Sequence, residues 1–515
     1  MSSLREIALT LDCEGPDLLA LAAHPLLHAP EERAVHLQAT GYDTDAGDLR
    51  AAGFALLVSQ EAGPDGERIV QTVQAGPGTR WERAITGPDP DHDALAETPV
   101  AEVLERADAP ALAARFSTRL ERTQRTIRYG ASAITVTLDR GRIESPNGEA
   151  PVGAAALALT EGEAVDLFAL AQALAETVPL RLARATGDEC GWALAEGRLH
   201  RPSKPGVVTL DPEASAGEAF AAIARACLRH LRVNEAVLRQ GRDPEALHQV
   251  RVALRRLRSA FTLFRPILAG DATAEVLRDE VKRVTEPFGR ARNLDVFLAE
   301  TLAPEIERRP DDPGLHDLRA LVGGAREAAH DAVAAILHSP AWRGLMIDLV
   351  AWIEAGPWRG AGGPAERDGP ARDFAATMLE RLRRRVRTRG RRLDRLEPEA
   401  RHRVRIEAKK LRYGAEFFAA LYADDRKAAK RHRAFVAALA ALQDQLGALN
   451  DIATAHAIRA DLTPPDRPGV AGFPDDAVLV SAGLVAADVE ARSDARLRAA
   501  ARAHAAFAEA RPFWR

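Results

Sequence analysis

Apolar residues recur along this chain in two rhythms, and the change of rhythm divides it. Up to about residue 205, short apolar runs alternate with turn signals. Three of these runs read as strands: Phe54 to Val58, Ile69 to Val73, and Ala131 to Leu138, the last closing on a turn at Asp139-Arg140-Gly141. Helical patches at Asp17 to His24 and Glu163 to Glu176 interrupt them, which predicts an α+β domain over residues 1–205. From about residue 214 the apolar spacing becomes three and four, in segments rich in Ala, Leu, Arg and Glu. That pattern predicts long amphipathic helices and no strand over 214–515. Pro- and Gly-rich stretches at 355–370 and 463–475 break the helical region, giving a first half at 214–354 and a second at 371–515.

One amphipathic pattern occurs twice. His248-Gln249-Val250-Arg251-Val252-Ala253-Leu254-Arg255-Arg256-Leu257-Arg258 returns 154 positions later as His402-Arg403-Val404-Arg405-Ile406-Glu407-Ala408-Lys409-Lys410-Leu411-Arg412. At roughly 100° per residue, Arg251, Arg255 and Arg258 fall with His248 in a stripe about 80° wide. Val250, Leu254, Leu257 and Phe261 gather on the neighbouring side, so the helix has a packed face and a cationic face. His402, Arg405, Lys409 and Arg412 repeat the stripe, with Leu411 and Phe418 on the apolar side. Arg256 and Lys410 match each other but sit at the far margin. A charge run on a helix is ordinarily a solvated face, and a histidine at a helix start ordinarily serves packing. Like charges at i,i+4 oppose each other, however, and few acids lie within either stripe to relieve them. Two copies of the same unfavourable arrangement point to a duplicated anion-binding surface.

A second motif follows each copy. Gly289-Arg290-Ala291-Arg292-Asn293-Leu294-Asp295 begins 41 residues after His248, and Gly447-Ala448-Leu449-Asn450-Asp451 begins 45 after His402. Each half therefore reads as one helical bundle, and two bundles facing each other across a pseudo-twofold axis would bring both stripes to one groove.

Charge sharpens the division. Residues 1–210 carry 19 Lys+Arg against 31 Asp+Glu, whereas the remainder carries 51 against 43. Within 372–433 alone there are 21 basic and 9 acidic residues, so a polyanion is the expected partner of the C-terminal half. Tyr413 is the only aromatic immediately beside either stripe, which disfavours single-stranded nucleic acid, whose bases need stacking surfaces. Cys13, Cys190 and Cys227 are too scattered for a disulfide framework or a metal knuckle. No apolar run reaches the roughly 18 residues of a membrane span, and the opening MSSLREIALTLDCEG lacks a signal layout; a cytoplasmic protein without a membrane partner is expected.

His248 to Arg258, Arg292 to Asp295, His402 to Tyr413 and Leu442-Gln443-Asp444-Gln445-Leu446-Gly447 resemble the CHAD domain, an all-helical tandem-bundle module, over residues 214–515. The resemblance implies binding of inorganic polyphosphate in a basic central cavity, and localisation at polyphosphate granules. Carried over, the binding residues are His248, Arg251, Arg255, Arg256, Arg258, His402, Arg405, Lys409, Lys410 and Arg412. The N-terminal part resembles the CYTH domain of triphosphate tunnel enzymes, through Tyr42-Asp43-Thr44, Asp48-Leu49-Arg50-Ala51-Ala52-Gly53, Gln71-Thr72 and Leu138-Asp139-Arg140-Gly141.

That second likeness is incomplete. The opening Glu-x-Glu-x-Lys of such enzymes reads Glu6-Ile7-Ala8-Leu9-Thr10, Leu57 and Ser59 stand in place of phosphate-holding arginines, and Gln74 replaces a lysine. Ala154, Ala156 and Ala158 replace an alternating row of glutamates, while Arg80, Glu82 and Arg122 survive. Metal-assisted phosphoryl transfer needs carboxylates for the cation and positive groups for the phosphates. The expected chain is thus α+β: a degenerate CYTH-like β-barrel or tunnel domain followed by an all-α CHAD domain of two pseudo-symmetric bundles. The expected function is non-catalytic binding of polyphosphate with no catalytic residues, metal or cofactor. The alternative is an inorganic triphosphatase using a divalent metal, and general nucleic-acid binding is a third class.

Overall fold

Short apolar runs at Phe54–Val58 and Ile69–Val73 build a β-hairpin, and further strands extend it into one sheet. The computed structural model describes residues 7–76, 79–106, 111–360, 362–462, 476–491 and 493–515. The strands are β1 (Ala8–Asp12), β2 (Arg33–Thr44), β3 (Phe54–Gly63), β4 (Gly66–Ala75), β5 (Thr79–Ala84), β6 (Leu112–Tyr129), β7 (Ser132–Ser145), β8 (Gly148–Glu161) and β9 (Arg181–Leu182). They pair antiparallel in the order β5-β4-β3-β2-β6-β7-β8-β1-β9. The three expected strands all lie in this sheet.

The expected turn at Asp139-Arg140-Gly141 does not form. β7 runs through it to Ser145, with Gly141 paired to Leu120 on one side and Val152 on the other. Asp139 faces Arg122 and Arg140 faces Glu121, so this stretch supplies cross-strand ion pairs. Gly141 is there for close approach: a Cβ would come 1.9 Å from the Arg119 carbonyl oxygen.

Contacts divide the chain into two units. One comprises Met1–Ser203, Arg232–Val237 and His338–Ala355; the other comprises Lys204–Leu231, Leu238–Leu337 and Gly356–Arg515. In the first, Leu9, Leu11, Ile134, Val136, Leu138 and Leu157 cover one sheet face and bury against Leu167, Leu170 and Leu174 of the helix Ala164–Thr177. Ile347, from the helix Pro340–Ala355, completes that core at 0% exposure. Gln172 Nε2 donates to Asp348 Oδ1 at 2.6 Å and to the Gly344 carbonyl at 3.3 Å. Glu235 is fully buried between Arg232 and Arg181, and Arg232 Nε donates to the Leu182 carbonyl at 2.6 Å.

The second unit is helical, and its helices repeat in register. Ala216–Gln240, Pro244–Leu263 and Ala272–Val296 are followed by Ala371–Arg389, Pro398–Phe417 and Arg426–Leu462. Each helix of the second set starts 154 or 155 residues after its counterpart, the period of the basic motif. Both basic helices open on proline, whose fixed φ suits the first turn and whose missing N–H would be unpaired there. Asp243 caps the first, accepting from Glu245 N at 2.8 Å and Ala246 N at 2.7 Å. A set of aromatic rings joins residues of both halves. Phe264 stacks on Phe374 with centroids 4.9 Å apart, and meets Phe220 at 5.2 Å and Phe418 at 5.7 Å. Among the described residues no helix is long and apolar enough to cross a membrane. The break at 463–475 lies outside the described residues.

Candidate functional site

The apolar face of each basic helix fixes where its cations go. Val250, Leu254 and Leu257 are at most 1% exposed, each contributing roughly 1.5–3 kcal/mol of burial, and Val404, Ala408 and Leu411 are similarly buried in the second helix. With those faces packed, the stripes have one direction left, and they meet. A cavity of about 440 Å³ is lined by His248, Arg251 and Arg255 from one helix and by His402, Arg405 and Lys409 from the other.

The third wall comes from the end of the helix Ala272–Val296 and the π-helical turn Phe297–Leu302 that continues it. Arg292 and Asn293 line it, with Phe297 beyond them, and Glu300 is the one acid in the lining. Asn293 Oδ1 accepts from an Arg251 amino group at 3.2 Å, holding that guanidinium at the wall. Arg255 donates to the Tyr413 hydroxyl at 2.7 Å, and its buried Nε has no hydrogen-bond partner among the described residues.

The cations raise each other's energy. Burial, reinforced by Arg255, Arg405 and Arg292, lowers the Arg251 pKa to about 10, so charges from both basic helices act on one guanidinium. Burial and then Arg292 push His248 down to about 4, with Arg255 and Arg251 adding to the effect and Glu245 opposing it. His248 is therefore neutral near pH 7 while Arg251 stays charged.

Four of the expected residues lie outside this lining. Arg256 is buried, its guanidinium 4.7 Å from the Phe417 ring centroid and 2.5 Å from Glu416 Oε2. Arg412 shares that acid, donating to Glu416 Oε1 at 2.8 Å and to Gln443 Oε1 at 3.3 Å. Arg258 carries the stripe past the cavity, its pKa lowered by burial and by Arg255. Lys410 lies 3.9 Å from Glu407 and lines a different pocket.

Arg292 is the addition. Among the neighbouring cations in that helix, Arg290, Lys282 and Arg283 are exposed, and Arg283 pairs with Glu280 at 2.5 Å. In the same motif Leu294 is core, and Asp295 is buried where it accepts from Arg326 at 2.6 Å and meets His330 at 3.0 Å. Its pKa is lowered: burial would raise it, and the hydrogen bonds from His330 and Arg326 outweigh that. In the corresponding segment of the second half, Leu442 is buried and Gln443 donates to the Ala408 carbonyl at 2.9 Å. The side chains of Asn450 and Asp451 lie outside the described residues.

The family pattern described as the CHAD domain matches residues 222–460. The crystal structure of the CHAD domain from the plant Ricinus communis is 34% identical, covering 59% of this chain and 97% of that one, with a TM-score of 0.50. The chain belongs to the CHAD family. Other solved structures match at lower likeness, among them the following. PptA from Streptomyces chartreusis is 17% identical, covering 56% of this chain and 99% of that one, with a TM-score of 0.39. A candidate adenylyl cyclase from Hippeastrum, described by a dominant triphosphatase activity, is 15% identical, covering 37% of this chain and 96% of that one at a TM-score of 0.28. No curated protein matches. The cavity of the two basic helices lies within the CHAD region, and the sheet is N-terminal to it.

Proposed function

We propose that this CHAD protein binds inorganic polyphosphate, without turning it over, in the cavity between its two basic helices. The observation that carries the reading is the convergence of His248, Arg251, Arg255, Arg292, His402, Arg405 and Lys409 on one cavity with a single carboxylate, Glu300. Mutually repelling guanidinium groups in a half-buried site gain from an anion that neutralises several at once. A flexible chain with about one negative charge per phosphate supplies that, with release of its counterions. Arginine adds planar, forked donors suited to phosphate oxygens. Sequestration at polyphosphate granules follows if the bound chain is part of one.

The competing reading is hydrolysis of triphosphate with a divalent cation on the sheet. The residues present do not fit that cation. The register sets Ala154 beside Asp12 and Asp139, Ala156 beside Thr10 and Thr137, and Ala158 beside Ala8 and Thr135, so the middle strand offers only methyl groups there, and the Asp12 carboxylate accepts from Arg184 N at 3.2 Å. Asp139 is taken by a two-pronged ion pair with Arg122 at 2.7 and 2.8 Å, and Arg80 pairs with Glu82. Glu6 lies outside the described residues.

The test is titration of the full-length protein with long-chain polyphosphate over a salt series, beside single-stranded DNA of matched charge. Affinity should fall steeply with salt and exceed that for DNA. Absence of binding at low salt overturns the proposal, and equal affinity for DNA replaces it with general polyanion binding. Phosphate release from tripolyphosphate with Mg²⁺ or Mn²⁺ would establish the competing reading.

A further inference from the structure

Lys409 and Lys410 are neighbours on one helix and open onto different cavities. The first lines the central cavity; the second lines a separate one of about 380 Å³. A turn of roughly 100° per residue separates the two side chains, so one helix presents cations to both sites.

The second pocket is built by three elements. The end of the first basic helix and the segment after it give Thr262, Arg265 and Pro266; the helix Ala371–Arg389 gives Met378, Arg381 and Arg385; and Lys410 closes it. Arg385 and Lys410 each lie 3.9 Å from the buried carboxylate of Glu407, which Arg389 also approaches at 3.4 Å. One carboxylate among three cations leaves a local excess of positive charge. Arg265 and Arg381 are exposed, and among the described residues neither pairs with an acid. The two halves differ here. Arg256, the counterpart of Lys410, is buried against Glu416 and Phe417, so the motif position that is sealed in one half faces a basic pocket in the other.

We infer that the pocket formed by Arg265, Arg381, Arg385 and Lys410 is a second phosphate-chain site, engaged by polyphosphate long enough to leave the central cavity and pass Lys410. The inference rests on the polyphosphate reading of the central cavity and adds a chain-length dependence to it. Tripolyphosphate should occupy the central cavity alone, whereas a long chain should contact both sites and gain affinity from the outer one.

The experiment uses the full-length protein with tripolyphosphate and long-chain polyphosphate as probes, each over a salt series. Three double variants are compared with wild type: R265A/R381A in the outer pocket, R251A/R405A in the central cavity, and K427A/K430A as an exposed control of equal charge. The outer variant should lose about tenfold in affinity for the long chain. Its salt slope should fall by about 1.4, the value for two lost phosphate contacts on a single-stranded polyanion. Its affinity for tripolyphosphate should be unchanged. The control should lose markedly less, and the cavity variant should lose both probes. Unchanged long-chain affinity in the outer variant, equal loss of both probes, or equal loss in the control overturns the second site while leaving the central one standing. Undiminished binding of both probes by the cavity variant overturns the central reading instead, and a wild type that binds neither overturns both.

Discussion

Arg251 and Arg256 stand five residues apart on one helix and meet opposite surroundings. Arg251 is held at the cavity wall by Asn293 among other cations, whereas Arg256 is sealed against Glu416 and aromatic rings. Their truncations should separate accordingly. R256A leaves Glu416 with Arg412, so its cost should stay near 1–3 kcal/mol, below that of fully stranding a buried charge. Urea denaturation should show that loss, with polyphosphate affinity of the folded protein little changed. His248 gives a pH signature. Its folded pKa, about 4, lies below the ordinary 6.5, so between those values the unfolded chain binds the proton that the native site refuses. Its contribution to stability is intact above pH 6.5 and is lost progressively as pH falls toward 4. Thermal melts at pH 7 and pH 5 should show a larger fall for wild type than for H248Q. An equal fall in both would place the acid sensitivity elsewhere.

At the scale of elements, a period of 154 positions was legible from letters alone, and the helices begin at that period because the opening prolines of the basic helices, the aspartate caps at Asp271 and Asp425 and the apolar faces recur with it. The cationic stripes were equally legible, since helix pitch converts spacing into direction without tertiary knowledge. What was not legible depended on partners far along the chain. Arg292 resembled its exposed neighbours Arg290 and Arg283, and only the packing of its helix turns it to the cavity. Asp295 belongs to the same motif as Arg292, yet its partner His330 lies 35 residues on and makes it an internal anchor. Gly141 misled for a related reason: a glycine admitting a neighbouring backbone and a glycine making a turn look alike in sequence, and Asp-Arg before it strengthened the wrong reading. The distinction is testable, because Gly141 is extended and free of positive φ. G141A should therefore destabilise by steric intrusion on Arg119, roughly 1–3 kcal/mol in a thermal or urea melt, where a turn glycine without positive φ would tolerate alanine.

Across the whole molecule, contact and chain order part company. The sheet unit takes its last core residue, Ile347, from a helix coded more than 150 residues after the sheet, and Arg181 finds its acid in Glu235. A fragment of residues 1–205 should therefore melt below the sheet unit of the full chain or aggregate, because it bares the helix face that Pro340–Ala355 covers and lacks Glu235, the carboxylate that meets Arg181. A fragment that unfolds cooperatively at the full-length temperature would contradict this. The same division separates a sheet strand that carries Ala154, Ala156 and Ala158 from a helical unit whose cations converge, and the proposed phosphate recognition belongs to the latter. The most direct test of that assignment is calorimetric titration of full-length R251A/R405A with long-chain polyphosphate at low salt, beside wild type. Losing two charge-assisted contacts of roughly 1.5–3 kcal/mol each should weaken binding by about 100-fold or more, with the melting temperature unchanged or higher because two repelling charges are gone. Binding by that variant at wild-type affinity would contradict the central claim.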